Sequence, residues 1–575
     1  MTLVVSTYSS QQLYVSNIDA YATQDISISE TTGPTVGGTE VEIDCGGCSL
    51  AVKITKTAAG WTHALALDDM GTVYAWGSNS YGELGIGNAT TDDVAAPVKV
   101  DGLDKIVAIA AGGEHSMAIN EAGELYIWGN NSYGQIGNGT TVNVSSPIKL
   151  NGLGGASNAI SADTKIVAIA ARGYHSLAVD ENGKLYAWGR NDTGQVGNGT
   201  SISNVLRPIK INGLQDNTPN AITNNTRIVA VAAGRFHSLA VDDSGLVYAW
   251  GKNTDGQIGN GNKSNDNVLA PIVINGYGGE SNAIKASTKI VTISAGLYFS
   301  IVSDIEGNVY TWGKNDYGQL GDGSTTDTTT PKLLARLSNI TKLAGGGRHV
   351  LAVSNDGEVY TWGQNNYGQI GNEATATNGV STPQLITTLE DITAIAGGGE
   401  SSYAVNNDGE LFSWGHDNRD QTGNGAVKNT NVTSPLLINN LEAGVPNAIS
   451  GSNRTLEVWF DDTLAEAACV DGVVFATTPP HVQGKVDITI KIGNDTVVLA
   501  EGFEYIDDEE EEGGGVDDGG GNEGIDEENE ENEGADDEDA ISDDDINSDD
   551  GATIPDDIIG VPNTGLAPLS ALKSK

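Results

Sequence analysis

Gly71-Thr-Val-Tyr-Ala-Trp-Gly77 returns six more times along the chain, at Gly123–Gly129, Gly183–Gly189, Gly245–Gly251, Gly307–Gly313, Gly357–Gly363 and Gly409–Gly415. Each copy reads Gly-x-aliphatic-aromatic-x-Trp-Gly. The tryptophans fall at Trp76, Trp128, Trp188, Trp250, Trp312, Trp362 and Trp414, so the period lies between 50 and 62 residues. Self-similarity at that spacing is the mark of a propeller or a solenoid.

The rest of the unit has a fixed grammar. A small apolar run comes first, as in Ile106-Val-Ala-Ile-Ala-Ala-Gly112. A histidine position and an alternating strand follow, as in His175-Ser-Leu-Ala-Val-Asp180, then a turn such as Glu181-Asn182-Gly183. After the tryptophan strand comes a glycine-rich corner, Gly189–Gly199, and a strand led by Pro208 closes the unit. Two runs of period two joined by a short Asn/Asp-Gly turn signal a β-hairpin. Three or four short strands repeated seven times predict an all-β chain dominated by a seven-bladed propeller. No blade buries both faces alone, so the Leu185, Tyr186 and Trp188 positions are expected between neighbours.

The Ala-Gly-x-x-His, Leu/Val-Tyr-x-Trp-Gly-x-Asn and Gly-Gln-Leu/Ile-Gly-x-Gly segments resemble the repeat of the regulator-of-chromosome-condensation family, whose members form seven-bladed propellers. The resemblance covers about residues 52–440. The histidine position becomes Phe299 in the fifth unit and Ser401 in the seventh, and a corner glycine becomes Glu373 in the sixth. Catalytic or metal duty does not tolerate such drift, whereas packing does. His63, His115, His175, His237 and His349 are therefore read as core, held one per blade and apart, as are the seven tryptophans. Photoreceptive members of the family use clustered tryptophans and arginines; within the propeller only Trp61 lies outside the tryptophan column. Paired acids such as Asp68-Asp69 and Asp242-Asp243 are read as solvated turns.

The flanks read differently. Residues 1–25 form an extension with room for one added strand. Residues 26–50 carry a strand, Gly33-Pro34, Gly37-Gly38-Thr39 and a second alternating strand. Residues 455–506 carry Leu456–Phe460, Val473–Thr478, Thr-Pro-Pro at 478–480, a hairpin and the closing Gly502-Phe-Glu-Tyr505. Neither flank completes a domain. Joined, they resemble one IPT/TIG immunoglobulin-like sandwich, with the propeller of residues 51–445 as an insert; nearby termini make such insertion cheap.

Charge narrows the function further. Net charge is −48, and residues 507–557 hold 26 acids with no Lys or Arg. The remaining 51 acids against 29 bases leave −22, which argues against nucleic acid, whose phosphates need a basic surface. Residues 507–560 read as a disordered acidic stalk. In residues 561–575, Val561-Pro562-Asn563-Thr564-Gly565 resembles the Leu-Pro-x-Thr-Gly signal cleaved by sortase. No apolar run is long enough to cross a membrane as a helix. Cys45, Cys48 and Cys469 bracket the propeller, and a disulfide from Cys469 to Cys45 or Cys48 is expected over a metal site. Three links near residues 151–165, 213–227 and 275–289 are enlarged and carry repeated Asn-Ala-Ile segments.

These features describe a monomeric, non-enzymatic binding or adhesion protein, extracellular or attached to a cell wall. It needs no cofactor and no metal. It presents a protein or glycan site on the propeller face with the enlarged links, with sortase as a second partner. The alternative is an intracellular guanine-nucleotide exchange or signalling scaffold, like the family's namesake.

Overall fold

The computed structural model describes residues 14–16, 27–28, 32–34, 37–44, 52–89, 93–154, 159–213, 222–276, 283–425, 431–439, 449, 456–470, 473–492 and 495–506. Every regular element among them is a β-strand. The chain divides into two compact units, one made from both flanks and one spanning Ser49–Leu456.

The larger unit is a ring of seven four-stranded antiparallel sheets. The second blade is typical: Ile106–Ala111 innermost, then His115–Asn120, Leu125–Gly129 and the outer Val144–Lys149. The register pairs His115 with Gly129 and Ile119 with Leu125. The Gly-x-x-His turn and the glycine corner therefore share one face of the ring. The Asp/Asn-Gly turn and the link to the next blade share the other.

Outer strands begin earlier than their prolines suggest. The third runs Val205–Lys210, so Pro208 sits inside it. An edge strand has one side without ladder partners, and a residue lacking N–H is tolerated there.

The corner explains the tryptophan column. All seven column tryptophans are fully buried. Each packs on the glycine corner of the preceding blade: a Cβ on Gly197 would lie 2.7 Å from Trp250 Nε1. Trp250 Nε1 also donates to the Gln195 carbonyl of that corner at 2.9 Å. Gly423 stands in the same way against Trp76, whose Nε1 donates to Gln421 O at 2.9 Å, so the seventh blade grips the first. Gly399 N to Gly60 O (3.3 Å) and Ile54 N to Gly409 O (3.1 Å) cross the same seam. The ring is closed.

The repeated acids are not simply solvated. Asp68 and Asp242 are buried, while Asp69 and Asp243 are exposed. Asp242 Oδ1 accepts from the N–H groups of Ser244 and Leu246, and Oδ2 accepts from Tyr248. One carboxylate thus closes the turn and satisfies the tyrosine hydroxyl, as buried polar groups require. In the second blade Asn120 closes the turn and Glu124 takes the tyrosine.

In the smaller unit the two flanks interleave. Glu40–Asp44 pairs antiparallel with Val473–Thr477, setting Val41 opposite Ala476 and Ile43 opposite Val474. Thr32–Pro34 runs parallel to Asp495–Ile506, and Tyr14–Ser16 adds a further strand to it. The strand Thr463–Val470, absent from the sequence reading, joins both flanks into one nine-stranded sheet by pairing with Leu456–Phe460 and with Val473–Thr477. Its alanine-rich composition hides it, because alanine is depleted in strands. Phe460, Phe503 and Tyr505 meet edge to face in the core.

Candidate functional site

The histidines stand one per blade in the core, and each forms a polar bridge to the next blade. His175 Nε2 lies 2.9 Å from Ser238 Oγ of the next blade, and Ser238 Oγ donates to Gln195 O at 2.8 Å. That carbonyl is the one receiving Trp250 Nε1. Since the serine proton is committed to the carbonyl, the histidine donates and its Nδ1 is the bare nitrogen. The same bridge joins His63 to Ser116, His115 to Ser176, His237 to Ser300 and His349 to Ser402. Burial lowers each of these histidines to about 3, so all five are neutral.

The two departures are compensated in place. Phe299 replaces a histidine where Val350 replaces its serine, so the fifth seam is apolar on both sides. At the closing seam Ser401 and Ala64 occupy the two positions. There the Tyr403 hydroxyl takes over the serine's bond to the Gln421 carbonyl and meets Ser401 Oγ at 3.1 Å. These seams are framework, and no reacting group is presented.

The face of the Gly-x-x-His turns differs, because its residues vary from blade to blade. A backbone bond of 2.7–2.9 Å ties the residue before each histidine position to the residue after each Trp-Gly, as from Arg190 N to Tyr174 O and from Lys252 N to Phe236 O. Two variable side chains per blade are thus fixed side by side on rigid turns, where recognition residues commonly sit.

Arg190, Phe236, Lys252 and Tyr298 hold these positions on blades three to five, and with Trp61, Tyr133 and Arg235 they form an interleaved stack. The Arg190 guanidinium lies 4.8 Å from the Tyr133 ring and 4.9 Å from Phe236. Arg235 lies 5.0 Å from Phe236 and 5.2 Å from Trp61. Lys252 lies 5.3 Å from Phe236 and 4.9 Å from Tyr298. Trp61 meets Tyr174 edge-on, and Tyr133 packs against Tyr174. Such contacts are worth about 0.5–2 kcal/mol each, depending on exposure.

The same face also carries acids, and one of them, Glu114, adjoins the stack through a hydrogen bond with Tyr174. Burial raises Glu83 and Glu114 to about 7, opposed by hydrogen bonds such as Asn130 Nδ2 to Glu114 (2.8 Å). His416 stacks on Tyr367 and pairs with Glu400 at 2.9 Å.

Beneath this face lies an arginine that the sequence reading missed. Arg172 occupies a position held by glycine in the other six units. Fully buried, it reaches across the ring and donates Nη1 to Ala295 O (2.8 Å) and Gly345 O (2.7 Å) on the fifth and sixth blades. Its signal was a lone arginine in a column of glycines.

The enlarged links lie on the opposite face. In their described parts the Asn-Ala-Ile isoleucines are buried anchors, Ile160, Ile222 and Ile284, as is Ile449. Gly152 N bonds Ile160 O at 2.9 Å, closing the link on itself, and Gly213 and Gly276 repeat the bond. Residues 155–158, 214–221 and 277–282 lie outside the described residues, as do Cys45, Cys48, the side chain of Cys469, the acidic stalk and Val561–Gly565. Among the described residues no group of three His, Cys, Asp or Glu side chains is placed to hold a metal ion, and no helix is long and apolar enough to cross a membrane.

The RCC1-like domain profile matches residues 39–288 and 156–456. The human E3 ubiquitin-protein ligase HERC2 is 32% identical over 309 residues, 53% of this chain and 6% of that protein. The Arabidopsis thaliana ultraviolet-B receptor UVR8 is 31% identical over 309 residues, 53% of this chain and 63% of the receptor. The chain thus spans less than two thirds of either relative. Among solved structures, Prp20p from Saccharomyces cerevisiae superposes with a TM-score of 0.55 at 24% identity, covering 71% of this chain and 91% of its own. Human WBSCR16 gives 0.53 at 20%, covering 72% and 99%. These likenesses concern the fold.

Proposed function

The chain belongs to the RCC1-like domain family, and from that premise we propose that it is a non-enzymatic binding protein whose ligand, a protein, sits on the Gly-x-x-His face of the propeller. The supporting observation is the stack of Tyr133, Arg190, Phe236, Arg235, Lys252 and Tyr298, built on rigid turns and unlike any framework position. Aromatic and arginine side chains are those that anchor protein interfaces. The Asn-Ala-Ile links, whose isoleucines serve the core, favour this face over the opposite one. Prp20p, described with binding properties toward Gsp1p and histones, uses the same fold for protein partners.

Display on a cell surface completes the proposal. The interrupted sandwich is read as an IPT/TIG-type domain, the stretch 507–560 as an acidic spacer, and Val561–Gly565 as a sortase substrate, all from sequence. The protein would then act outside the cell.

Two experiments test these parts. Immobilised protein is screened against arrays of extracellular proteins and of glycans, alongside the Arg190→Ala/Phe236→Ala variant. Loss of capture in the variant supports the face; undiminished capture moves the site elsewhere. Separately, incubation with sortase and triglycine should cut between Thr564 and Gly565, and a chain left whole removes wall attachment from the proposal.

A further inference from the structure

Three cations converge on the single ring of Phe236: Arg190, Arg235 and Lys252, at 4.9, 5.0 and 5.3 Å from its centroid. The ring's π-electrons attract each cation, but the cations repel one another, and a bound anion would relieve that repulsion. Only Arg190 has a local carboxylate, Asp192 at 2.6 Å. Among the described residues no carboxylate lies within ion-pair distance of Arg235 or Lys252, and Arg235 Nε is buried without an acceptor.

We propose that this cluster docks an acidic peptide segment of a protein partner, its carboxylates pairing with Arg235 and Lys252 and its aliphatic stems lying on Phe236 and Tyr298. The proposal rests on the reading that this face binds protein and names the chemistry bound. The cations stand on separate turns, after Gly189, Gly234 and Gly251, and Arg190 and Lys252 are already flanked by rings. Spaced carboxylates fit such a row better than one compact anion, which needs donors converging on a point. Single-stranded nucleic acid binds by stacking bases on free aromatic faces. Here those faces are taken by cations.

The test uses the full chain, a fluorescein-labelled octaglutamate peptide and a labelled oligothymidine, followed by anisotropy. The peptide should bind at low salt and weaken about tenfold or more at 0.5 M salt, as screened pairs do. Arg235→Gln/Lys252→Gln should weaken it about tenfold or more with an unchanged melting temperature, and Lys252→Gln alone should weaken it partially. Lys149→Gln, on the outer rim, should change nothing. No peptide binding, or binding indifferent to both glutamine variants, overturns the proposal. Tighter binding of oligothymidine with the same dependence assigns the site to another ligand class and overturns it too. The array screen above reads the face without this peptide, so its failure is distinguishable from failure here.

Discussion

His175 Nε2 lies 2.9 Å from Ser238 Oγ across the seam between the third and fourth blades, and neither residue touches solvent. That one bond couples two blades through the carbonyl that also seats Trp250.

Removing half of the bridge should therefore cost more than removing all of it. Ser238→Val leaves a buried imidazole N–H without an acceptor, at about 1–3 kcal/mol. His175→Phe strands the serine more mildly, because Ser238 Oγ keeps Gln195 O. The double variant His175→Phe/Ser238→Val rebuilds the Phe299/Val350 pair of the fifth seam. Chemical denaturation of all four proteins should give a double variant more stable than the sum of the singles predicts. Strict additivity would show that the bridge carries no coupling.

Two sets of buried groups act on stability in opposite directions between about pH 3 and 7. The five seam histidines have pKa values near 3, below the ordinary 6.5. The unfolded chain therefore binds more protons, and stability is lost as pH falls from about 6.5 toward 3. Glu83 and Glu114, raised to about 7 from 4.5, act the other way: their contribution is present below pH 4.5 and lost as pH rises through 7. Glu83 stands where the other six corners carry glutamine. Glu83→Gln should raise stability by on the order of 1–3 kcal/mol at pH 8 and by little at pH 4.5. Melting curves across that range decide it; a gain independent of pH would rule out buried charge as the cause.

Much of this framework is legible in sequence because every blade repeats the same local problem. Gly-x-x-Tyr-x-Trp-Gly with a glycine corner has one way to bury its tryptophan, so seven copies specify seven seams. The compensations are legible too once the pairing is known: Phe299 with Val350, and Ser401 with Ala64 and Tyr403. The stack around Phe236 is not, because Arg190 and Phe236 lie 46 positions apart and belong to no repeated pattern. Arg172 escapes for a related reason. Its partners, Ala295 O and Gly345 O, are backbone groups that leave no trace in side-chain identity.

Glu373 holds φ at 63° where the equivalent corner residues are glycines such as Gly323, at 83°. A left-handed conformation costs a non-glycine residue about 1–2 kcal/mol, partly offset by the freedom glycine gains in the unfolded chain. Glu373→Gly should thus stabilise the protein by about 0.5–1 kcal/mol, read as a shifted denaturation midpoint with an unchanged slope. A loss instead would show that the Glu373 side chain has a role outside the corner.

The first blade uses Ile54–Lys99 and the seventh uses Ile392–Leu437, and among the described residues no strand is exchanged between them. Among the described residues the blades meet there only at the Trp76 and Tyr403 seam, which lacks the histidine bridge. The chain ends leaving the propeller are held together elsewhere, by Glu40–Asp44 on Val473–Thr477 and by Gly38 N to Thr478 O at 2.8 Å. Fixing the two ends of a long segment lowers the entropy of its open forms. Ile43→Asp places a charge in the buried strand pair and should unfold the smaller unit. Through connectivity alone it should also lower the propeller's melting temperature by several degrees and speed hydrogen exchange at the Ile54–Ala59 and Ser401–Asn406 amides before those of the third blade. Equal exchange in all blades, with an unshifted transition, would mean that the Trp76 seam closes the ring unaided.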